Sequence, residues 1–215
     1  MIAWFRIGDV FPADDPVARF VITFAMFAND LFRSTAMFGR LDDETIEDMG
    51  RRLMLVRYQA SLFHEVVTFI RDARRVPAVE AFVVSLEADA PGQLATMQDA
   101  AHELGPWLEN HRNLTFHYAE MHPARIAAGR DDLMRALADA ADERSMIEAV
   151  EGDRLGFPFA DQVVVQLLPE DLRTGSQVLV RGVAAATALS MAAVRKHISA
   201  QDEASFVITA GPDID

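Results

Sequence analysis

Residues 46–70, IEDMGRRLMLVRYQASLFHEVVTFI, decide the fold that the sequence predicts. Apolar residues recur there at alternating spacings of three and four, at Ile46, Met49, Leu53, Val56, Ala60, Phe63, Val67 and Ile70. Such a heptad seam is typical of a helix that packs nearly antiparallel to its neighbours in a left-handed bundle. We therefore expect one helix of about 30 residues here, ended by Pro77.

A second long helix is predicted before this one. Asp15 is a good N-cap and Pro16 suits the first helical position, so the helix should run from there to about Phe38. Apolar residues lie on nearly all its sides, which predicts burial on more than one face, in part against a partner subunit.

Proline and glycine delimit the shorter helices that follow. We expect these at about 78–86, 93–104, 107–121, 130–150 and 170–199. Residues 157–168 fit either a short strand or a buried helical turn, and residues 204–215 are expected to be a tail. The expected fold is thus all-α, with one domain over residues 1–215.

Composition excludes several classes of function. The chain has 215 residues, 51% of them apolar, and a formal charge of −13, which argues against an extended surface for duplex DNA. A small site for one phosphate remains compatible, since all cations except Lys196 are arginines and arginine suits bidentate phosphate contacts. Codon bias is an equally simple source of that arginine use.

The absence of cysteine excludes disulfides, thiolate zinc sites and cysteine nucleophiles, and it fits a reducing cytoplasm. Arg6 and Asp9 interrupt the apolar run that a signal peptide would need. The apolar stretches 20–28 and 183–194 fall short of the roughly 20 residues of a membrane span. We therefore expect a cytoplasmic protein with no membrane helix.

One segment concentrates polar chemistry. Residues 109–123, ENHRNLTFHYAEMHP, contain three of the six histidines, and Gly105-Pro106 opens them as about four turns of helix. On a helical wheel Asn113 and His117 are neighbours, whereas Arg112 lies about 140° from His117. Arg112 and His117 would then share a cleft only if the arginine reaches across or a second subunit closes over both.

The order Arg112, Asn113, three residues and His117 resembles the signature of the HEPN superfamily, and the long helix before it suits that architecture. The resemblance covers residues 15–122 as a long antiparallel bundle core and leaves 123–215 as a C-terminal helical extension. It implies metal-independent RNA cleavage at a homodimer cleft, as a ribonuclease, toxin or defence component, with RNA as substrate and an antitoxin protein as a further partner.

The resemblance also implies roles for individual residues. His117 would act as general acid or base, Arg112 would hold the phosphate, and Asn113 would orient either of them. We assign Glu109 and Tyr118 to substrate contact. No cofactor is expected.

Simpler interpretations of the same residues stay open. Asn113 and His117 fit a hydrogen-bonded pair at the rim of a helix interface, and Arg112 fits an ordinary ion pair. Arg57 and His64 satisfy a loose version of the motif, but Tyr58 follows the arginine. Histidines spaced five and six residues apart do not form a helical metal site. The alternative function is a non-catalytic helical dimer that binds a nucleotide, a small ligand or a protein.

Overall fold

The computed structural model describes residues 2–38, 46–105, 107–108, 138, 148–149, 155–156, 172–201 and 206–209. The helices are α1 Ile7–Val10, α2 Pro16–Phe38, α3 Ile46–Ala73, α4 Pro77–Ser85, α5 Gln93–Leu104 and α6 Leu172–Ser199, with a 3₁₀ turn at Leu86–Ala88. The strands are β1 Ile2–Phe5, β2 Glu148–Ala149, β3 Leu155–Gly156 and β4 Phe206–Thr209. Helices dominate, so the predicted all-α class is confirmed, and two short antiparallel strand pairs are added to it.

The N-terminus of α2 forms as the sequence predicts. The Asp15 carboxylate accepts a hydrogen bond from the backbone N–H of Val17 at 2.8 Å, and Pro16 is the first helical residue. The cap satisfies one of the backbone donors that a helix start leaves free. The helix then reaches Phe38, as expected.

Helix α3 has 28 residues, which confirms the predicted length. Ala60, Phe63 and Ile70 of the heptad seam are buried, but so are Leu55 and Val66, which lie beside it. The buried stripe is therefore wider than a coiled-coil seam, as in a helix with several neighbours. A polar contact fixes its position against α2, since the buried Gln59 amide donates to the hydroxyls of Ser34 and Thr35.

The core forms where α6 packs against α5, α2 and α3. Gly182 of α6 faces Phe63 of α3 and Ala100 of α5, both buried. A methyl group at Gly182 would lie 2.9 Å from Cε2 of Phe63 and 3.0 Å from Cβ of Ala100. Only a residue without a side chain allows the three helices to approach so closely.

The sequence predicts burial of α2 on more than one face, in part against a partner subunit. The single chain buries one side of α2, and cover of the other sides by a partner stays a prediction. Phe20, Val21, Phe24 and Leu31 are buried in the core, yet several large apolar side chains of the same helix are exposed: Ile22, Met26, Phe32 and Met37. Burial follows the side that faces α3 and α6, and composition alone does not say which side that is.

Both ends of the described chain meet in a strand pair. β1 runs antiparallel to β4, with Ile2 opposite Thr209 and Phe5 opposite Phe206. The predicted tail at 204–215 is therefore wrong for residues 206–209, because backbone groups of the N-terminal strand supply partners that local sequence does not reveal.

The helix predicted over about 130–150 is also wrong at its end, where Glu148–Ala149 pairs as a strand with Leu155–Gly156. The sequence between these strands, VEGDR at 150–154, contains glycine and aspartate, residue types that are common in turns. Residues 157–168, predicted as strand or helical turn, lie outside the described residues.

A buried histidine joins the N-terminal segment to α6. His197 is 4% exposed, its Nε2 lies 2.7 Å from the backbone oxygen of Val10, and its ring stacks on Phe11 at 5.0 Å. Gln201, one turn later, donates to the backbone oxygen of His197 at 3.2 Å. These contacts hold α1 against the C-terminal turns of α6.

Helix α6 is apolar for most of its length. Gly175–Ser199 is long and apolar enough to cross a membrane by length and composition, so the expectation that no segment reaches this length is not met. In the most apolar part of this helix, 56% of the stretch is buried inside the protein. Ala185, Ala186 and Leu189 belong to the core. Core helices pass the same test, so it is weak evidence for a span.

Replacing Gly182 by alanine should lower the free energy of unfolding by about 1–3 kcal/mol, because the new methyl group overlaps the Phe63 ring. Urea denaturation measures the change. Gly8→Ala is the matched control, since a methyl group at Gly8 would meet no atom of the described residues within 4 Å. Equal stability of the two variants would contradict the close approach.

His197→Ala should destabilise the protein by about 1–3 kcal/mol, because the buried carbonyl of Val10 loses its hydrogen-bond donor. Amide hydrogen exchange should accelerate most in residues 7–11 and 197–201. His102→Ala, at an exposed position of α5, is the control. A uniform change in exchange across the protein would count against a local contact.

Candidate functional site

A proline and two charged residues shape the turn between α3 and α4. Val76 is extended, with φ −89° and ψ 118°, and Pro77 begins α4. Proline restricts the residue before it to extended backbone, so α3 cannot continue. Arg71 lies in the last turn of α3 and Glu80 in the first turn of α4, where each charge complements the helix dipole.

This turn borders a cavity of about 560 Å³ between α3, α4 and α5, which we name the arginine cavity. Its lining residues are Val67, Ile70, Arg71, Arg74, Arg75, Glu80, Met97, Gln98 and Ala101. Ile70 and Met97 are buried and form an apolar floor. The volume falls in the range of pockets that bind small molecules.

Arg74 is held in place by Glu80. Its Nε and Nη2 donate to the two carboxylate oxygens at 2.5 and 2.8 Å, a bidentate pair. The hydrogen bonds from Arg74 lower the pKa of Glu80. Desolvation opposes this effect, and the positive charge of Arg74 makes a smaller contribution that also lowers the pKa. The same hydrogen bonds raise the pKa of Arg74, with desolvation opposing them.

Arg71 and Arg75 are held more loosely. Both approach the same carboxylate oxygen of Asp72, from Nε of Arg71 and from Nη2 of Arg75, each at 3.4 Å. Their side chains are 67% and 77% exposed, against 30% for Arg74. Arg71 and Arg75 can therefore reorient toward a ligand, whereas Arg74 is fixed.

The predicted site residues Glu109, Arg112, Asn113, His117 and Tyr118 lie outside the described residues. Their predicted roles therefore stay predictions.

The structure does describe the residues just before this segment. Gly105 ends α5 with φ 43° and ψ −127°, a conformation that suits only glycine, and the chain is helical again at Trp107 and Leu108. Leu108 is 3% exposed and belongs to the core, and Trp107 packs against that core. The segment from Glu109 thus begins directly after a buried anchor.

The loose version of the motif, Arg57 and His64, lies on α3 within the described residues. Arg57 and His64 are two turns apart on one side of the helix, and both are half-buried. The Nε atom of Arg57 is buried and has no hydrogen-bond partner among the residues that the structure describes. Next to Arg57, burial raises the pKa of Tyr58, and the negative charge of Asp30 adds to it.

No group of three or more histidine, aspartate or glutamate side chains that could hold a metal ion occurs within the described ranges.

Sequence reasoning missed the arginine cavity, although a signal was present. Residues 71–75 read RDARR, three arginines within five residues directly before Val76-Pro77. A cationic run at a helix end is usually explained by the helix dipole. What the sequence did not reveal is the apolar floor beside it, because Met97 and Ala101 come from α5.

Comparison with known proteins adds no relative. No protein-family model matches the chain, and neither a curated protein nor a solved structure is significantly similar to it. Function must therefore be inferred from the chain itself.

Glu80→Gln should destabilise the protein at neutral pH and not at acid pH. Because the folded-state pKa of Glu80 is depressed, its ion pair with Arg74 contributes stability above the carboxyl's ordinary pKa of about 4.3 and loses it as pH falls through the folded-state value. Urea denaturation of wild type and variant between about pH 7 and about pH 3 should show converging midpoints. Asp99→Asn, at an exposed carboxylate of α5, is the control, and a difference that does not change with pH would contradict this role of Glu80.

Proposed function

We propose that this chain is a metal-independent endoribonuclease of HEPN type, acting as a toxin or defence component in the cytoplasm. The observation that carries the proposal is the motif Arg112, Asn113 and His117, which begins four residues after the core anchor Leu108. An anchored start would give a catalytic helix a defined position, which proton transfer requires.

The proposed chemistry uses ordinary acid–base groups. His117 removes the proton from a ribose 2′-hydroxyl or donates one to the departing 5′-oxygen, and histidine titrates in the right range for both. The 2′-oxygen attacks phosphorus, the bond to the 5′-oxygen breaks, and a 2′,3′-cyclic phosphate remains. Arg112 neutralises the charge that builds on the phosphate oxygens, and Asn113 orients the reacting groups.

The proposed enzyme is a homodimer. On a helical wheel Arg112 and His117 lie about 140° apart, so they would share a cleft only if the arginine reaches across or a second subunit closes over both. The exposed apolar side chains Ile22, Met26 and Met37, which lie on one side of α2, supply a surface suited to a second subunit. Glu109 and Tyr118 would contact RNA bases or riboses in the resulting cleft. An antitoxin protein would be a further partner.

His117→Ala should abolish RNA cleavage that the wild type performs in EDTA, because the general acid or base is lost. The measurement is gel analysis of a structured RNA, with product ends tested for 2′,3′-cyclic phosphate. His102→Ala, a histidine on the exposed side of α5, should cleave like the wild type.

Light scattering on the same samples reports the subunit number.

Cleavage that requires an added metal ion, or that His117→Ala retains, would rule out this mechanism.

The arginine cavity favours a second candidate function: a non-catalytic helical dimer that binds a nucleotide or another small ligand. In that case neither the wild type nor His117→Ala would cleave RNA, and the substitution would change only the stability of the dimer.

A further inference from the structure

The arginine cavity carries a positive charge in an acidic protein. The guanidinium groups of Arg71, Arg74 and Arg75 line the cavity, and the carboxylates of Asp72 and Glu80 lie beside them. The whole chain has a formal charge of −13. The local excess is one positive charge, so the cavity attracts anions although the whole protein repels them.

The floor of the same cavity is apolar. Val67 and Ile70 of α3 and Met97 and Ala101 of α5 form it, and the arginines stand at its edge. Ligand pockets commonly combine such an apolar wall with a few polar groups that fix orientation. A suitable ligand therefore has an apolar body and an anionic group at one end.

We propose that the arginine cavity binds a small phosphate monoester, with the phosphate at Arg71, Arg74 and Arg75 and the apolar body on the half-buried Val67 and Ala101. A phosphate monoester presents three acceptor oxygens and up to two negative charges, which matches three guanidinium groups better than the two oxygens of a carboxylate do. This site is separate from the proposed ribonuclease motif.

Glu80 acts as an internal competitor in this site. Its carboxylate occupies two donor nitrogens of Arg74, at 2.5 and 2.8 Å, and a phosphate must share or displace it. The contacts of Arg71 and Arg75 to Asp72 are long, at 3.4 Å each, so these two arginines make the first contact. Removing the charge of Glu80 should therefore strengthen binding.

The test uses the full-length protein and the probe 1-naphthyl phosphate, whose aromatic ring supplies the apolar body. We expect saturable binding in calorimetry, at least about tenfold tighter than for 1-naphthol or 1-naphthoate. Amide signals of residues 67–75 and 97–101 in the wild type should shift on titration.

Two variants examine the arginines and the competitor. The double variant Arg71→Gln/Arg75→Gln should lose at least about tenfold in affinity, whereas Arg33→Gln, an exposed arginine of α2, should not. Glu80→Gln should bind the probe more tightly than the wild type does. His117→Ala should bind it normally, which separates this site from the ribonuclease proposal.

Several results would overturn the proposal: absence of saturable binding by the wild type, equal affinity for 1-naphthol or 1-naphthoate, or signal shifts elsewhere in the protein. If the double variant and Arg33→Gln bound the probe with equal affinity, or if Glu80→Gln bound it more weakly than the wild type, the arginines would not bind phosphate. Their role would then be limited to the helix dipole of α3. Circular dichroism of each variant tests whether it is folded.

Discussion

The close contact at Gly182 is the constraint on which the described structure depends. Helix α6 touches α3 and α5 at the same point because Gly182 has no side chain between Phe63 and Ala100. Small buried residues one turn along α6, Ala185 and Ala186, continue the close packing. Interior packing tolerates little change in volume, so this one position sets the distance between three helices.

The arginine cavity lies along two of the helices that meet at Gly182, α3 and α5. On α3, the buried Phe63 contacts Gly182 and the buried Ile70 lies at the cavity floor. On α5, Ala100 lies at the Gly182 contact and Met97 at the cavity floor. Val67, Ile70, Met97 and Ala101 of these two helices form the apolar part of the cavity lining. The arginines that end α3 stand at the edge of the cavity, which turns a common charge pattern at a helix end into a candidate binding site.

The chain therefore carries two separate places where arginine could meet phosphate. One is the motif at Arg112, which is predicted from the sequence and follows the buried Leu108 by four residues, and the other is the arginine cavity, which is seen in the structure. In an acidic protein such places draw phosphate by local charge and geometry, since the overall field opposes it. Any binding should therefore be confined to small sites.

Local interactions determined what the sequence could predict. The cap at Asp15, the prolines at 16 and 77 and the helical periodicity each act within a few residues, so the start of α2, the length of α3 and the bounds of α5 were predictable. For the ribonuclease motif the sequence supplied a hypothesis, and its residues lie outside those the structure describes.

Only the tertiary structure decided which residues far apart in the chain come together. Residues 2–5 pair with 206–209, His197 contacts Val10, and α5 supplies half of the cavity floor to the arginines of α3. It also decided which of the apolar residues of α2 are covered. The physical reason is that hydrophobic burial has no direction of its own, so the choice of partner depends on the packing of the whole chain.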